Sequence, residues 1–170
     1  MVKDITKKDV HVTFGCRRFY EDDDTVRSIT TDHIGSHPKL LEGLVNQEKD
    51  FKAFVRKLAV HVHDHVKVRG VSRTEPGPFH IVSWCRAGEK RSVGWAIIMY
   101  HCLTSIGMRS VHPAPAIMNL CALMWRRHTC NGTCEACANY LSPEKKNDPS
   151  IKLAISLFTE EWRKLGGCPV

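Results

Sequence analysis

From Val10 to Phe14 the chain alternates side chains as Val-His-Val-Thr-Phe, which places every second residue on one face and predicts a strand ending at Gly15-Cys16-Arg17-Arg18. The acidic run Glu21-Asp22-Asp23-Asp24 reads as a solvated loop. Pro38 opens a short helix through Leu40, Leu41, Leu44 and Val45. A longer helix begins near Asp50, with Phe51, Phe54, Val55, Leu58, Ala59, Val62 and Val66 along one side. Glycine and prolines make Gly70 to Pro78 a loop. It leads into a second strand, Phe79-His80-Ile81-Val82-Ser83-Trp84, and then a helix with Val93, Ala96, Ile97, Tyr100 and Leu103 on one face. Arg109-Ser110-Val111-His112 reads as a third strand, followed by a helix carrying Ile117, Leu120, Cys121, Met124 and Trp125. A cysteine-rich turn and a polar loop from Ser142 to Pro149 come next. The last helix starts around Ser150, buries Ile151, Ala154, Ile155, Phe158, Trp162 and Leu165, and stops at Gly166-Gly167. Strands separated by helices predict an α/β fold of three layers, a short, mainly parallel sheet with helices on both faces. In such a sheet ligands sit at the carboxyl ends of strands.

Composition narrows the class. A chain of 170 residues, 42% hydrophobic and 25% charged, can bury one good core, so residues 1–170 are expected to form a single domain. No apolar run reaches the ~20 residues of a spanning helix, and Met1 to Lys8 carries no apolar signal stretch, which predicts a soluble, cytoplasmic protein with no membrane partner. The eight cysteines then read as thiols or metal ligands. A net charge of +7 favours anionic partners, without choosing between RNA and a small phosphorylated molecule.

The segment Cys85-Arg86-Ala87-Gly88-Glu89-Lys90-Arg91-Ser92 lies between the second strand and its helix. Backbone N–H groups at a helix start lack intrahelical partners and sit at the positive end of the dipole, so a glycine-containing turn there attracts phosphate or sulfate. Arg86, Lys90 and Arg91 add positive charge, and the Arg91 guanidinium has the planar fork that grips two oxygens. A thiol in that field loses its proton more easily, which makes Cys85 either a nucleophile or a small loop residue. Arg17, Arg18 and Arg27 lie on strand ends or adjoining loops and would enlarge the basic patch; no RNA-recognition, KH or zinc-finger pattern is present.

The pattern C-x-x-G-x-x-R-S after a strand resembles the phosphate loop of cysteine-dependent tyrosine and dual-specificity phosphatases, with Cys85, Gly88, Arg91 and Ser92 in the matching positions. It also resembles the C-terminal domain of the RNase adapter protein RapZ, whose loop reads roughly C-x-x-G-x-H-R-S-V. Cys85, Gly88, Arg91, Ser92 and Val93 match it, and Lys90 stands where that family has histidine. Upstream, Cys16-Arg17-Arg18-Phe19, Arg27 and Thr31 to Pro38 follow the RapZ-like order, without the acidic residue of its first turn. The similarity spans about Val10 to Val111. It implies a largely non-catalytic pocket for a phosphorylated small molecule or RNA, formed by residues 85–92 with Arg17, Arg18 and Arg27, and with His33 and His37 on the rim. The alternative is a phosphatase using Cys85 and Arg91. It requires a general acid, for which Asp32, Asp50 and Asp64 are the candidates, and Trp84 stands where phosphatases usually have histidine.

Cys130, Cys134 and Cys137, with His128 just before, offer three sulfurs and one imidazole, the ligand set of a closed structural zinc site. Free thiols in a turn are the other reading, and the C-x3-C-x2-C string of radical iron–sulfur enzymes lacks its aromatic here, Ala136 taking that place. His61 and His65 stand one helical turn apart, but a solvated helix end accounts for them and for His63. His11, His80 and His112 fall in strand positions and read as structural.

Overall fold

The computed structural model describes residues 12–16, 32–71, 79–85, 90–108, 130 and 132–168, with the backbone alone for 68–71. The third strand, the helix through Trp125 and the acidic run expected from the sequence lie outside these residues.

Two strands, β1 (Val12–Gly15) and β2 (Ile81–Trp84), pair in parallel, from Val12 opposite Ile81 to Gly15 opposite Trp84. Parallel neighbours need a long crossover. Here it contains α1 (Pro38–Asn46) and α2 (Glu48–Val71). After β2 come α3 (Arg91–Ser105), a short 3-10 helix (Pro143–Asn147) and α4 (Pro149–Lys164). The architecture is a small α/β fold, mostly helical, with two strands among the described residues.

Alternation in β1 works as read: Val12 and Phe14 are buried while Thr13 and Gly15 face outward. Phe14 meets Phe54 of α2 with ring centroids 4.5 Å apart. In α1 the predicted residues Leu40, Leu41, Leu44 and Val45 are buried. His37 caps this helix, its Nδ1 accepting from the Lys39 amide at 3.2 Å. The stripe of α2 is buried from Phe51 to Val62, but Val66 is 43% exposed. The helix also runs through Gly70 and Val71, which the sequence assigned to a loop. One glycine costs a helix only about 1 kcal/mol, and no proline intervenes before Pro76.

Helix α3 departs most from its predicted amphipathic face. Ala96, Tyr100 and Leu103 are half-buried, whereas Val93, Trp95, Ile97, Ile98, Met99, His101 and Cys102 are buried all round the helix. It packs against α1, α4 and β2 together, so burial covers most of its circumference, and the side carrying Ala96, Tyr100 and Leu103, which the sequence placed in the core, is the half-buried one. Trp95 is fully buried, stacked on Phe54 at 3.6 Å and Phe51 at 5.2 Å between centroids. Gly94 lets α1 come close: a Cβ there would lie 2.7 Å from Leu44 Cδ1. Helix α4 buries Ile151, Ala154, Phe158 and Trp162 and joins the same hydrophobic cluster. No helix among the described residues is long and apolar enough to cross a membrane.

Candidate functional site

Parallel pairing brings Cys16 and Cys85, each the residue after its strand, to the same sheet end. Cys16 is fully buried, and burial together with the neighbouring Cys85 pushes its thiol up to about 12, against the Trp84 backbone and Arg91. Cys16 is therefore a protonated core residue at neutral pH. Cys85 is half-buried, with its Sγ 3.2 Å from the Ser92 hydroxyl. Ser92 is in turn held by the buried Ser83, whose hydroxyl donates to the Ser92 carbonyl at 2.7 Å. A bond from inside β2 to the first turn of α3 thus fixes where the helix starts relative to Cys85. Lys90 occupies the N-cap of α3 without a side-chain capping bond, and the first turn holds no acidic residue. Arg91 and Ser92 begin the helix itself. Arg86, Ala87, Gly88 and Glu89 lie outside the described residues, as do Arg17, Arg18 and Arg27.

Asp50 and Asp64, two of the candidate general acids, belong to α2. Asp64 is exposed and 3.6 Å from His63 Nδ1. Asp32 is on an exposed part of the loop before α1, and its carbonyl accepts from the Cys130 amide at 2.8 Å.

That loop contributes to the second constellation. One donor atom from each of His33, Cys130, Cys134 and Cys137 lies within 4.8 Å of all the others, a set that can hold a metal ion. His33 Nδ1 is 3.4 Å from Cys134 Sγ and 3.5 Å from Cys137 Sγ. In tetrahedral zinc, bond lengths near 2.3 Å to sulfur and 2.0–2.1 Å to nitrogen place S and N about 3.6 Å apart, so the donors stand close to coordinating distance already. His33 supplies the imidazole that the sequence assigned to His128, which lies outside the described residues. His33 and Cys134 are 101 positions apart. Local spacing carries no sign of such a ligand.

The turn that presents the sulfurs is built from backbone bonds. The Thr133 amide donates to the Cys130 carbonyl at 3.0 Å, and the Cys137 and Ala138 amides donate to that of Cys134 at 3.1 and 2.9 Å. Gly132 has φ +78°, a conformation L side chains rarely adopt, and a Cβ there would also stand 2.9 Å from Ile34 Cδ1. The thiols are electrostatically unequal. Burial opposes ionisation of Cys130, yet the Gly132 amide, His33, Cys137 and Cys134 together bring it down to about 6. Burial, with Cys134 and Cys130, pushes Cys137 up to about 12, and the Ser36 hydroxyl works the other way. Cys130 ionises readily and Cys137 resists, burial being the main cause of that resistance and the hydrogen bonds with Cys134 and Cys130 adding to it. A divalent cation held among the three sulfurs would favour their thiolate forms.

His33 is therefore more than a rim residue, and its ring lies 4.4 Å from that of His37. Burial, with His33 and Lys39, lowers the His37 pKa, in keeping with the unprotonated Nδ1 that caps α1. The histidines of α2 pack on aromatic rings: His61 edge-on to Phe14 at 6.2 Å, His63 edge-on to Trp162 at 5.9 Å and His65 stacked on Phe79 at 3.9 Å. They are half-buried packing residues where the sequence suggested a solvated end. No disulfide links the described cysteines. No family model, curated protein or solved structure matches the chain.

Proposed function

We propose that this protein is an anion-recognition domain that binds a phosphorylated group at the start of α3, with a structural zinc ion closing the His33–Cys130–Cys134–Cys137 cluster. The observation that carries the anion site is the fixed junction of β2 and α3. Ser83 holds Ser92, Cys85 meets the Ser92 hydroxyl at 3.2 Å, and the helix begins without an acidic or side-chain cap. Its leading amides then attract an anion, and we assign to the same anion the Arg91 fork and the Ser92 hydroxyl, from the first two residues of the helix. The resemblance of residues 85–93 to the RapZ C-terminal loop, and the net charge of +7, support the same reading. Zinc follows from the ligand set, since three thiolates and an imidazole leave no open position and favour a structural over a catalytic ion.

Inorganic phosphate or sulfate is expected to raise the melting temperature of the wild-type chain, and Arg91→Ala to abolish the rise. An unchanged response in the mutant removes Arg91 from the site. Metal analysis of protein purified without chelator should return one zinc per chain, and only trace zinc would refute the metal centre. An RNA ligand would show a steep loss of affinity with salt, because each neutralised phosphate releases counterions; a small phosphorylated molecule would show a shallow one.

The contact between Cys85 and Ser92 also favours a second reading, in which the Cys85 thiolate attacks phosphorus as the ester P–O bond breaks, a general acid protonates the departing oxygen, Arg91 holds the transferring group, and water then hydrolyses the phosphocysteine to phosphate and free Cys85. Of the three candidate acids, Asp32 is the one on a loop. Turnover of an aryl phosphate that vanishes in Cys85→Ser, with phosphate binding retained, would establish this chemistry. No turnover by clean wild-type protein across a broad pH range would reject it.

A further inference from the structure

The segment from Asp32 to His37 is irregular backbone with a different neighbour on each side. Towards the cysteine turn, the Asp32 carbonyl accepts from the Cys130 amide at 2.8 Å, His33 faces the sulfurs of Cys134 and Cys137, and Ile34 lies against Gly132. Towards α3, Gly35 presses on the first turn. A Cβ at Gly35 would overlap the Lys90 carbonyl oxygen and come within 2.5 Å of the Gly94 nitrogen. From the other direction, a Cβ on Gly94 would be 3.1 Å from the Gly35 oxygen. Two glycines let these backbones touch, so the segment cannot shift toward α3 without moving Lys90 and Arg91.

We propose that the metal centre is the positioning element of the anion site: by fixing His33 it seats Gly35 on the first turn of α3 and sets the geometry of Lys90, Arg91 and Ser92. This rests on the phosphate-binding reading of α3 given above. His33 and Gly35 are two residues apart, whereas the cysteine turn is about a hundred residues along the chain. Without the metal, the segment is tied to the turn by the Asp32 bond, the Ile34 contact, hydrogen bonds between His33 and the sulfurs of Cys134 and Cys137, and the Ser36 hydroxyl acting on Cys137; four coordinate bonds would hold it far more firmly. A ligand that holds one end of a short, irregular segment restricts the other end too. The restriction is thermodynamically reciprocal, so phosphate on α3 must tighten the metal by the factor by which the metal tightens phosphate.

The test is titration calorimetry of inorganic phosphate into the full chain, zinc-loaded, stripped with a chelator, and reloaded. We expect phosphate affinity to fall about tenfold on stripping, within the 5- to 150-fold span usual for coupled sites, and to return on reloading. Equal affinity in the loaded and stripped proteins, both folded by circular dichroism, overturns the proposal and leaves the anion site standing. Should the stripped chain unfold, zinc affinity of the folded protein, measured against a competing chelator with and without saturating phosphate, decides in its place. A tightening of about tenfold supports the proposal and no change overturns it. Absence of phosphate binding even to the zinc-loaded chain refutes the anion reading itself, and the coupling with it. Gly35→Ala supplies a check that leaves the metal ligands intact. It should keep one zinc per chain yet weaken phosphate binding, and undiminished binding would count against the contact that transmits the effect.

Discussion

His101 is 1% exposed in the middle of α3, and its surroundings dictate a pH dependence. Its Nε2 is 2.6 Å from the Tyr140 carbonyl, so this nitrogen carries the proton and donates. Nδ1 is buried without a hydrogen-bond partner among the described residues. Burial lowers the His101 pKa, Lys146 adds to the lowering, and the Tyr140 carbonyl and Asp148 oppose it. The unfolded chain therefore takes up a proton at His101 before the folded one does. Stability from this residue is complete above the unfolded value near 6.5 and is lost as pH falls from there toward the lowered folded value, by at most about 1.4 kcal/mol per pH unit. Urea denaturation from pH 8 to pH 5 should show His101→Gln destabilising the protein at pH 8 and progressively less in acid. A cost that stays constant with pH would mean that His101 does not titrate between the two states. Trp95 gives a pH-independent counterpart. Truncating this fully buried, doubly stacked ring to alanine should cost about 3–5 kcal/mol.

Asp148 shows how one carboxylate organises an element. Oδ1 accepts from the Ser150 and Ile151 amides at 3.0 and 3.3 Å, capping α4, and Oδ2 accepts from the Tyr140 hydroxyl at 3.0 Å. The second bond ties the end of the cysteine turn to the start of α4. Asp148→Ala should cost about 1–2 kcal/mol, with Asp148→Asn recovering most of it, since an amide oxygen still caps a helix. Equal losses in the two variants would assign the effect to charge instead. At this scale the sequence was informative where one principle governs. Proline at the start of α1 and the apolar spacing of α1, α2 and α4 were enough to place those helices and most of their buried sides, though Val66 is exposed and Ile155 and Leu165 are half-buried. The face of α3 was not legible, because burial there follows from three neighbours at once and the half-buried side carries the apolar Ala96 and Leu103, so no run of polar residues marks it. The ends of α2 were also misjudged, since a lone glycine stops a helix only when a better alternative exists.

Across the whole molecule, the candidate metal ligands divide by the same logic. Cys130, Cys134 and Cys137 announced themselves by spacing, and a histidine was expected with them. The histidine brought to them belongs to the loop before α1, because the Asp32–Cys130 backbone bond and the Ile34–Gly132 contact lay that loop along the turn. Tertiary contact selects such a ligand, and no local pattern can name it. Serine replacement of Cys134 should therefore do more than lower zinc content. It should loosen two segments together, visible as faster amide exchange at both 32–36 and 132–138; protection lost in the cysteine turn alone would contradict a shared centre. The second strand and the helix that follows it were legible, being contiguous in the chain, while the loop before α1 was read as a pocket rim without its contact through Gly35.

Phosphate bound at the start of α3 would change the environment of the amides that hold it. Amide chemical shifts, followed as inorganic phosphate is added to the isotopically labelled, zinc-loaded chain, test that binding most directly. Binding there should give saturable shifts concentrated at Cys85, Lys90 to Val93 and the 32–37 segment, with little change at Thr104 to Met108, at and just beyond the far end of the same helix. Shifts that fail to saturate, or that scatter over the basic surface without favouring the first turn of α3, would contradict it.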